Sequence, residues 1–518
     1  MPVRNYLILL LVVLSSLVLE TKAYDKRMTD NLVLLDGHTP HMLSFRNQEI
    51  ALNESFVVEN QEVVFENCVV WLNSTASTFA NIELANCSFY FYNTLFKPVN
   101  EKYKYNLIFH ASSKGIINNC TFISAGKLFD DTRTNQHGLY VFGSSVEIYN
   151  STFIACYTAI DFDYAGNSIV ANCTFLNYIG YAIESQWSKN IDITNCTFSP
   201  NEVSTLNMYI KGPYNPEQSA GIGLRSSKKI KIVGNLFNQT EINALKIIDC
   251  QEVSLINNTV MFCGSSLEII QSDKLRVVGN IFSNVTYLGS SFAESSLILF
   301  QGNTISSAST GLYMLSVRDV TISGNNISNT NTGIVISNND AGGSNIKVMM
   351  NNLLNCTTSA TSNAGAKWSG NYFDKTSDTP FVISDTDVDY EPSSKMIVDT
   401  KPPRLLSLNA TKTVEGTKLS FDIDEPFGIV EFIFFYEEMD YFPLFNYSSG
   451  FWYIIMTTNL PSTITAKILV KDSNNHVLAL TTEINIPQAK NLYALLYAGI
   501  TIFGVVIVTL LLVKRHMK

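Results

Sequence analysis

A four-residue phrase, Asn172-Cys-Thr-Phe175, returns along this chain at a nearly fixed spacing, and that periodicity restricts the fold more than any other feature. It recurs as Asn195-Cys-Thr-Phe198, Asn119-Cys-Thr-Phe122, Asn86-Cys-Ser-Phe89 and Asn150-Ser-Thr-Phe153, then in looser forms such as Asn258-Thr-Val260 and Asn303-Thr-Ile305. Aligned on the apolar residue that closes each phrase, one column holds Cys87, Cys120, Ser151, Cys173, Cys196, Asn235, Asn258, Asn280, Asn303, Asn325, Asn352 and Asn371. Steps from Ser151 to Cys196 and from Asn235 to Asn325 are about 22 residues, a period that marks a solenoid.

Within each repeat, short alternating runs such as Ile191-Asp-Ile193 and Lys229-Ile-Lys-Ile-Val233 are broken by Gly, Asn and Ser. Alternation over so few residues signals strands. Three short strands and three turns fit the period, so one repeat reads as one coil of a parallel β-helix. On these motifs the chain resembles the right-handed parallel β-helix family, which includes pectate lyases, polygalacturonases and many surface proteins. The resemblance spans roughly residues 63–390 and implies an all-β solenoid there.

The column cysteines are expected to be buried thiols. In-register parallel strands lie about 4.8 Å apart, farther than the Cβ separation of about 3.8 Å that a disulfide prefers. Cys68 fits the same column, and Cys156 and Cys263 sit at coil-packing positions. Side chains alternate along a strand, so the Asn and Thr of each phrase should face outward when the Cys and Phe face inward. That places the sequons at Asn86, Asn119, Asn150, Asn172, Asn195 and Asn257 on the surface. Further sequons lie at Asn53, Asn73, Asn238, Asn284, Asn326, Asn355, Asn409 and Asn446, and together they suggest an N-glycosylated exported chain.

Residues 1–23 read as a signal peptide, with Arg4 before an apolar core. Residues 492–513 form an uncharged apolar run long enough to cross a bilayer, and the basic tail 514–518 then orients a single span with the preceding chain outside. Residues 24–62 are expected to cap the solenoid. Residues 401–487 carry strand-like runs at wider spacing and suggest a small antiparallel sandwich, similar to the immunoglobulin-like modules of surface proteins, with Trp452 and Phe434 in its core. This module reads as a spacer above the membrane. Its Asp422, Asp424 and Glu425 either bind Ca2+ or remain solvated. Charged residues make up only 15% of the chain and the net charge is −10, which argues against nucleic acid or anionic lipid as partners. No Cys-x-x-Cys or Cys/His cluster points to a thiolate metal site.

Two features converge on one candidate binding face. Insertions at Tyr90–Asn106, Ser124–His137 and Ser199–Ala220 all enter after the Phe anchor, so their tips should share a corner. Those tips carry the candidate ligand residues Tyr103, Tyr105, Asp131, Arg133, Tyr209 and Tyr214. On the neighbouring coils, Ala159-Ile-Asp161-Phe-Asp163 aligns with Ala182-Ile-Glu184-Ser-Gln186 and Gly221-Ile-Gly223-Leu-Arg225. Asp161 and Glu184 should then face outward one coil apart, with Asp163 on the same face. Such carboxylates repel, so a cation, the Arg225 guanidinium or a raised pKa is expected. Tyr164 and Trp187 nearby suit stacking on sugar rings.

The polygalacturonase signatures (Asn-Thr-Asp, Asp-Asp and Gly-His-Gly on successive coils) are absent, and Gln136-His137-Gly138 lacks the first glycine. Copper-delivery β-helix proteins would want more His and Met ligands facing one way. The sequence therefore favours a surface protein that binds carbohydrate or another surface protein. The enzymatic alternative is a membrane-anchored polysaccharide lyase or glycoside hydrolase using Asp161, Asp163, Glu184 and Arg225.

Overall fold

The computed structural model describes residues 42–487 except 76–78, 101–102, 104, 127–136, 179, 200–219, 239–242, 339–344, 375–379, 438, 447–449 and 458–459. The signal peptide, the membrane span and its basic tail, all expected from the sequence, lie outside the described residues. Among the described residues no helix is long and apolar enough to cross a membrane.

Three long sheets of 16, 14 and 13 strands wind together, each strand pairing with the strand three elements on. Every solenoid pairing is parallel apart from one short antiparallel closure, Phe381–Val382 on Val388–Asp389. The result is a parallel β-solenoid of about thirteen turns. Its first coil already comprises Met42–Arg46, Glu49–Leu52 and Phe56–Glu59, so residues 42–62, expected as a cap, are part of the repeat.

Periodicity becomes packing through vertical stacks. Phe96, Phe122, Phe153, Phe175, Phe198 and Phe237 form one column, with ring centroids 4.5 to 5.0 Å apart and nearly parallel planes. Their spacing is the strand spacing, so each ring covers the next and excludes water from the coil interior. Beside them runs the polar column. The amide of Cys173 donates to Cys196 Sγ at 3.4 Å, and that of Cys196 to Asn235 Oδ1 at 2.8 Å. From Asn235 onward each Asn side chain bonds the next, through Asn258, Asn280, Asn303, Asn325, Asn351 and Asn371, and the series ends on the buried Asp389 carboxylate. All nine cysteines are buried and unbridged, as the spacing argument expected.

Two members of the expected column are displaced. Cys87 belongs to a different corner, where its amide donates to Ser113 Oγ, and Phe89 accordingly lies in the first sheet and stacks on Phe109. Thr94 takes the place assigned to Cys87, since Cys68 N donates to Thr94 Oγ1. Likewise Asn351, not Asn352, occupies the column. Asn352 instead bonds the backbone of Ile397 through both its amide groups, tying down the exit segment.

The residue before each column position adopts a left-handed backbone: Asn119, Asn150, Asn172, Asn195 and Asn257 have φ between +50° and +54°, and Gly234, Gly279, Gly302 and Gly324 take the same place in later coils. Asn and Gly are the residues that tolerate this conformation. Among the sequon asparagines none is fully buried, and those of the Asn-Cys/Ser-Thr/Ser-Phe phrases are exposed.

After the solenoid, residues 404–485 form two four-stranded antiparallel sheets around one shared core that includes Phe421, Phe434, Trp452 and Ile468. The expected runs Ile429–Tyr436 and Phe451–Met456 coincide with strands. The strand Arg404–Thr413 was missed by pattern reading because its residues are mostly exposed and show little apolar alternation. This unit docks on the flank of the solenoid: Arg276 Nη2 donates to Ile429 O at 2.8 Å, Ser323 Oγ to Pro426 O at 2.7 Å, and the Arg276 guanidinium lies 4.6 Å from the Trp452 ring centre.

Candidate functional site

The third sheet carries the site. Its strands His137–Phe142, Thr158–Asp163, Tyr181–Gln186 and Ala220–Arg225 are consecutive neighbours, so residues far apart in sequence become vertical partners. The register pairs Tyr140 with Asp161, Asp161 with Glu184, and Glu184 with Gly223. A parallel column pairs Phe142 with Asp163, Gln186 and Arg225 in turn. The alignment expected from sequence therefore holds, and Asp161, Asp163, Glu184, Arg225, Tyr164 and Trp187 share one region.

The surroundings of Asp161 differ from the expectation. It is only 3% exposed rather than solvated. His137 Nδ1 lies 3.0 Å from its Oδ2, while its Oδ1 has no hydrogen-bond partner. Burial, with Glu184 and Asp163 adding repulsion, pushes the Asp161 carboxyl well above the usual carboxylate range. Burial also holds the His137 imidazole down to about 4. Burial thus disfavours the charged form of both partners in this contact. Burial raises Glu184 as well, whereas the Gln186 amide, bonded to Oε1 at 2.9 Å, and the Arg225 charge oppose that rise. The Tyr140 hydroxyl donates to Asp163 Oδ2 at 2.8 Å, leaving Asp163 Oδ1 buried without a partner. Tyr181 lies across the backbone of Gly223, where a Cβ would come within 2.5 Å of its ring.

An aromatic strip borders the carboxylates. His137 and Tyr140 are 5.2 Å apart, Tyr140 and Phe142 6.0 Å, Phe142 and Tyr164 6.0 Å, and Tyr164 and Trp187 5.2 Å with planes 17° apart. Tyr164 is 58% and Trp187 49% exposed. Both sit in left-handed backbone, with φ of +51° and +47°. The equivalent turn positions of other coils hold Gly143, Ser226, Asp249, Gln271, Glu294 and Ser316, each making the same backbone bond to the coil that follows.

Of the loop candidates, Tyr103 is half-buried in a turn, its amide donating to Asn100 O. Tyr105 is corrected: it is fully buried and its hydroxyl donates to Phe96 O at 2.8 Å, so it fills the core instead of a loop tip. Asp131, Arg133, Tyr209 and Tyr214 lie outside the described residues. The expected insertions Ser124–His137 and Ser199–Ala220 enter between the second and third sheets, joining Thr121–Ile123 to His137–Phe142 and Thr197–Ser199 to Ala220–Arg225. The one expected at Tyr90–Asn106 is corrected: Tyr90–Tyr92 ends the strand Ser88–Tyr92 of the first sheet and Leu95–Pro98 is a strand of the second, so only the connection from Pro98 to Leu107 enters at that corner. Sequence reading missed His137, Tyr140, Phe142 and Tyr181 as site members. Extending the coil alignment one repeat upstream would have placed Tyr140 over Asp161.

Among the described residues, two sets of three side chains bring potential ligand atoms within 4.8 Å of one another: His137–Asp161–Glu184, and Asp399–Asp472–His476. Asp422, Asp424 and Glu425, the Ca2+ candidates, are not such a set, and Glu425 Oε1 instead accepts the Phe427 amide at 2.8 Å.

A family model described as "Right handed beta helix region" matches residues 67–260, and one described as "Periplasmic copper-binding protein (NosD)" matches residues 205–388. The solenoid is therefore a right-handed parallel β-helix. The segment covered by the second match contains no histidine. No curated protein matches the chain. Solved structures with a similar fold include a mutant of the periplasmic alginate epimerase AlgG, at 11% identity over 64% of this chain and 78% of that one, with a TM-score of 0.35. A PL6 alginate lyase in complex with a trisaccharide gives 13% identity over 64% and 86%, with a TM-score of 0.36. PfbA, a surface adhesin of Streptococcus pneumoniae, gives 11% over 60% and 83%, with a TM-score of 0.32. Likenesses this remote carry no argument about ligand or activity.

Proposed function

We propose that the protein is a surface-anchored β-helix whose third sheet binds a carbohydrate chain across Tyr164 and Trp187. One observation carries this reading: two bulky rings are exposed, mutually stacked and held in left-handed turns where other coils place small or polar residues. Such backbone costs about 1 kcal/mol or more per residue, and strain of this kind concentrates at functional positions. Flat exposed rings suit the apolar faces of sugars, while Asp163, Glu184, Gln186 and Arg225 on the adjoining strands supply hydroxyl-binding groups. The signal-like residues 1–23 and the apolar run 492–513 support a surface location, and the sequons suit an exported chain. The antiparallel unit would hold the solenoid clear of the bilayer. Another surface protein is the competing ligand. A glycan array probed with wild type and the Tyr164→Ala/Trp187→Ala double variant tests the site. Loss of at least tenfold in affinity is expected, and unchanged glycan binding by the double variant would sink the proposal.

A second reading, polysaccharide cleavage, is favoured by His137 facing the buried Asp161 with Glu184 one strand away. Carboxylates about one strand spacing apart approach the separation of about 5 Å used by retaining glycosidases. Chain shortening of a bound polysaccharide by wild type, abolished in Asp161→Asn, would establish it; binding without shortening rejects it.

A further inference from the structure

We infer that His137, Asp161 and Glu184 form a site for one divalent transition-metal ion of borderline hardness, the class to which Zn2+ belongs. The three side chains come from successive coils, so the solenoid itself fixes their separation. Their potential ligand atoms already lie within 4.8 Å of one another. A tetrahedral zinc holds its ligand atoms roughly 3.3 Å apart, so closing on an ion requires only small side-chain movements.

A group of acids on a sheet would not by itself mark a site. Here Asp161 is 3% exposed, and its Oδ1 receives no hydrogen bond. His137 Nδ1 is also buried and lacks a properly directed hydrogen bond, although Asp161 Oδ2 stands 3.0 Å away. Buried polar atoms are nearly always satisfied, and each exception costs about 1–3 kcal/mol. A proton shared between Asp161 Oδ2 and the imidazole would satisfy that contact, but it leaves Oδ1 bare. A cation between the two side chains and Glu184 can satisfy all three.

The donor set argues for the class of ion. Ca2+ takes six to eight oxygen ligands, and Mg2+ a near-octahedral oxygen shell. One imidazole nitrogen with two carboxylates suits Zn2+ and its neighbours, with a position left for water or a ligand. Supporting groups surround the set: the Gln186 amide orients Glu184 at 2.9 Å, and the Tyr140 hydroxyl orients the neighbouring Asp163 at 2.8 Å. Outer contacts of this kind fix first-shell ligands. The other convergent set, Asp399, Asp472 and His476, makes a useful contrast. Both oxygens of Asp472 are already bonded, one by the amides of Asn474 and His476 and the other by the His476 ring, so no orphaned atom points to an ion there.

The test is calorimetric titration of the full-length chain with Zn2+, and separately with Ca2+, in the absence of any sugar. One equivalent of Zn2+ should bind, at least about tenfold tighter than Ca2+, and should raise the melting temperature. His137→Gln, Asp161→Asn and Glu184→Gln should each weaken Zn2+ binding by about tenfold or more, whereas His476→Gln should leave it unchanged. Should Asp161→Asn fail to fold, Glu184→Gln, whose side chain is only half-buried, decides the matter. Absence of stoichiometric binding, equal affinity for Ca2+, or binding indifferent to the three site variants would overturn the inference. Because Tyr164→Ala/Trp187→Ala removes no metal ligand, it should retain Zn2+, so failure of the sugar reading and failure of the metal reading remain distinguishable.

Discussion

Asn303 illustrates what a single side chain does in this fold. Its Nδ2 donates to Val277 O at 2.8 Å and to Asn325 Oδ1 at 3.1 Å, while its Oδ1 accepts the Asn280 backbone amide at 2.9 Å and the Asn280 side chain at 3.0 Å. All of this happens in a fully buried position. Asn303→Leu would leave a backbone amide and a carbonyl without partners, each costing about 1–3 kcal/mol. A loss of about 3 kcal/mol or more is therefore expected in denaturant unfolding. Cys173→Ser should cost about 1 kcal/mol or less, because Ser151 already serves the same position one coil earlier and its hydroxyl accepts the Cys120 amide at 3.1 Å. Comparable losses for the two variants would refute the column as the source of stability. The column could be read from sequence because its period is close to constant. Cys87 and Asn352 were misplaced: Asn352 is adjacent to the true column residue Asn351, while the Cys87 phrase closes on Phe89, an apolar residue of the first sheet, and so belongs to a different corner from Thr94.

At the scale of the element, the glycine turns of later coils do more than relax the backbone. Gly302 has φ +60°, and a Cβ there would lie 1.9 Å from Phe427 O of the antiparallel unit. A Cβ at Gly324 would lie 2.7 Å from the Phe427 ring, and one at Gly279 3.2 Å from Ser473 and Val430 of the same unit. The docking surface is thus made by the switch from Asn to Gly at one turn position. Gly302→Ala adds left-handed strain of about 1 kcal/mol and a backbone collision. The expected outcome is release of the unit with the solenoid still folded, seen as faster proteolysis near residues 390–403 and a larger hydrodynamic radius. A compact, protease-resistant variant would show that the glycines serve the turn alone. The sequence showed that both domains exist but not that they touch, since the contact depends on missing side chains, which leave no apolar pattern.

The arrangement of the whole molecule depends on a knot of acids at this junction. Asp399 and Asp472 both reach His476, at 3.2 and 3.0 Å, and these two acids together with Asp424 lie close enough to Glu425 to repel its charge. Burial, aided by the neighbouring acids, pushes Glu425 up to about 7. Burial opposes a charge on His476, but Asp472 and Asp399 outweigh it and raise the imidazole above its ordinary value. Both shifts have the same sign for stability. The folded state binds more protons than the unfolded chain from about pH 4.5 to 7 at Glu425, and again just above pH 6.5 at His476, so stability falls as pH rises through that window. A depressed carboxylate would give the opposite slope. Glu425→Gln keeps an oxygen for the Phe427 amide but removes the titration. Its melting temperature should exceed that of wild type at pH 8, by an amount equivalent to about 1 kcal/mol once solvent screening is allowed for. The two proteins should converge below about pH 4.5, where Glu425 is protonated in both the folded and the unfolded chain. A gap that stays constant between pH 5 and 8, or that widens toward acid, would mean that Glu425 titrates as an ordinary surface acid and that the junction is not proton-linked.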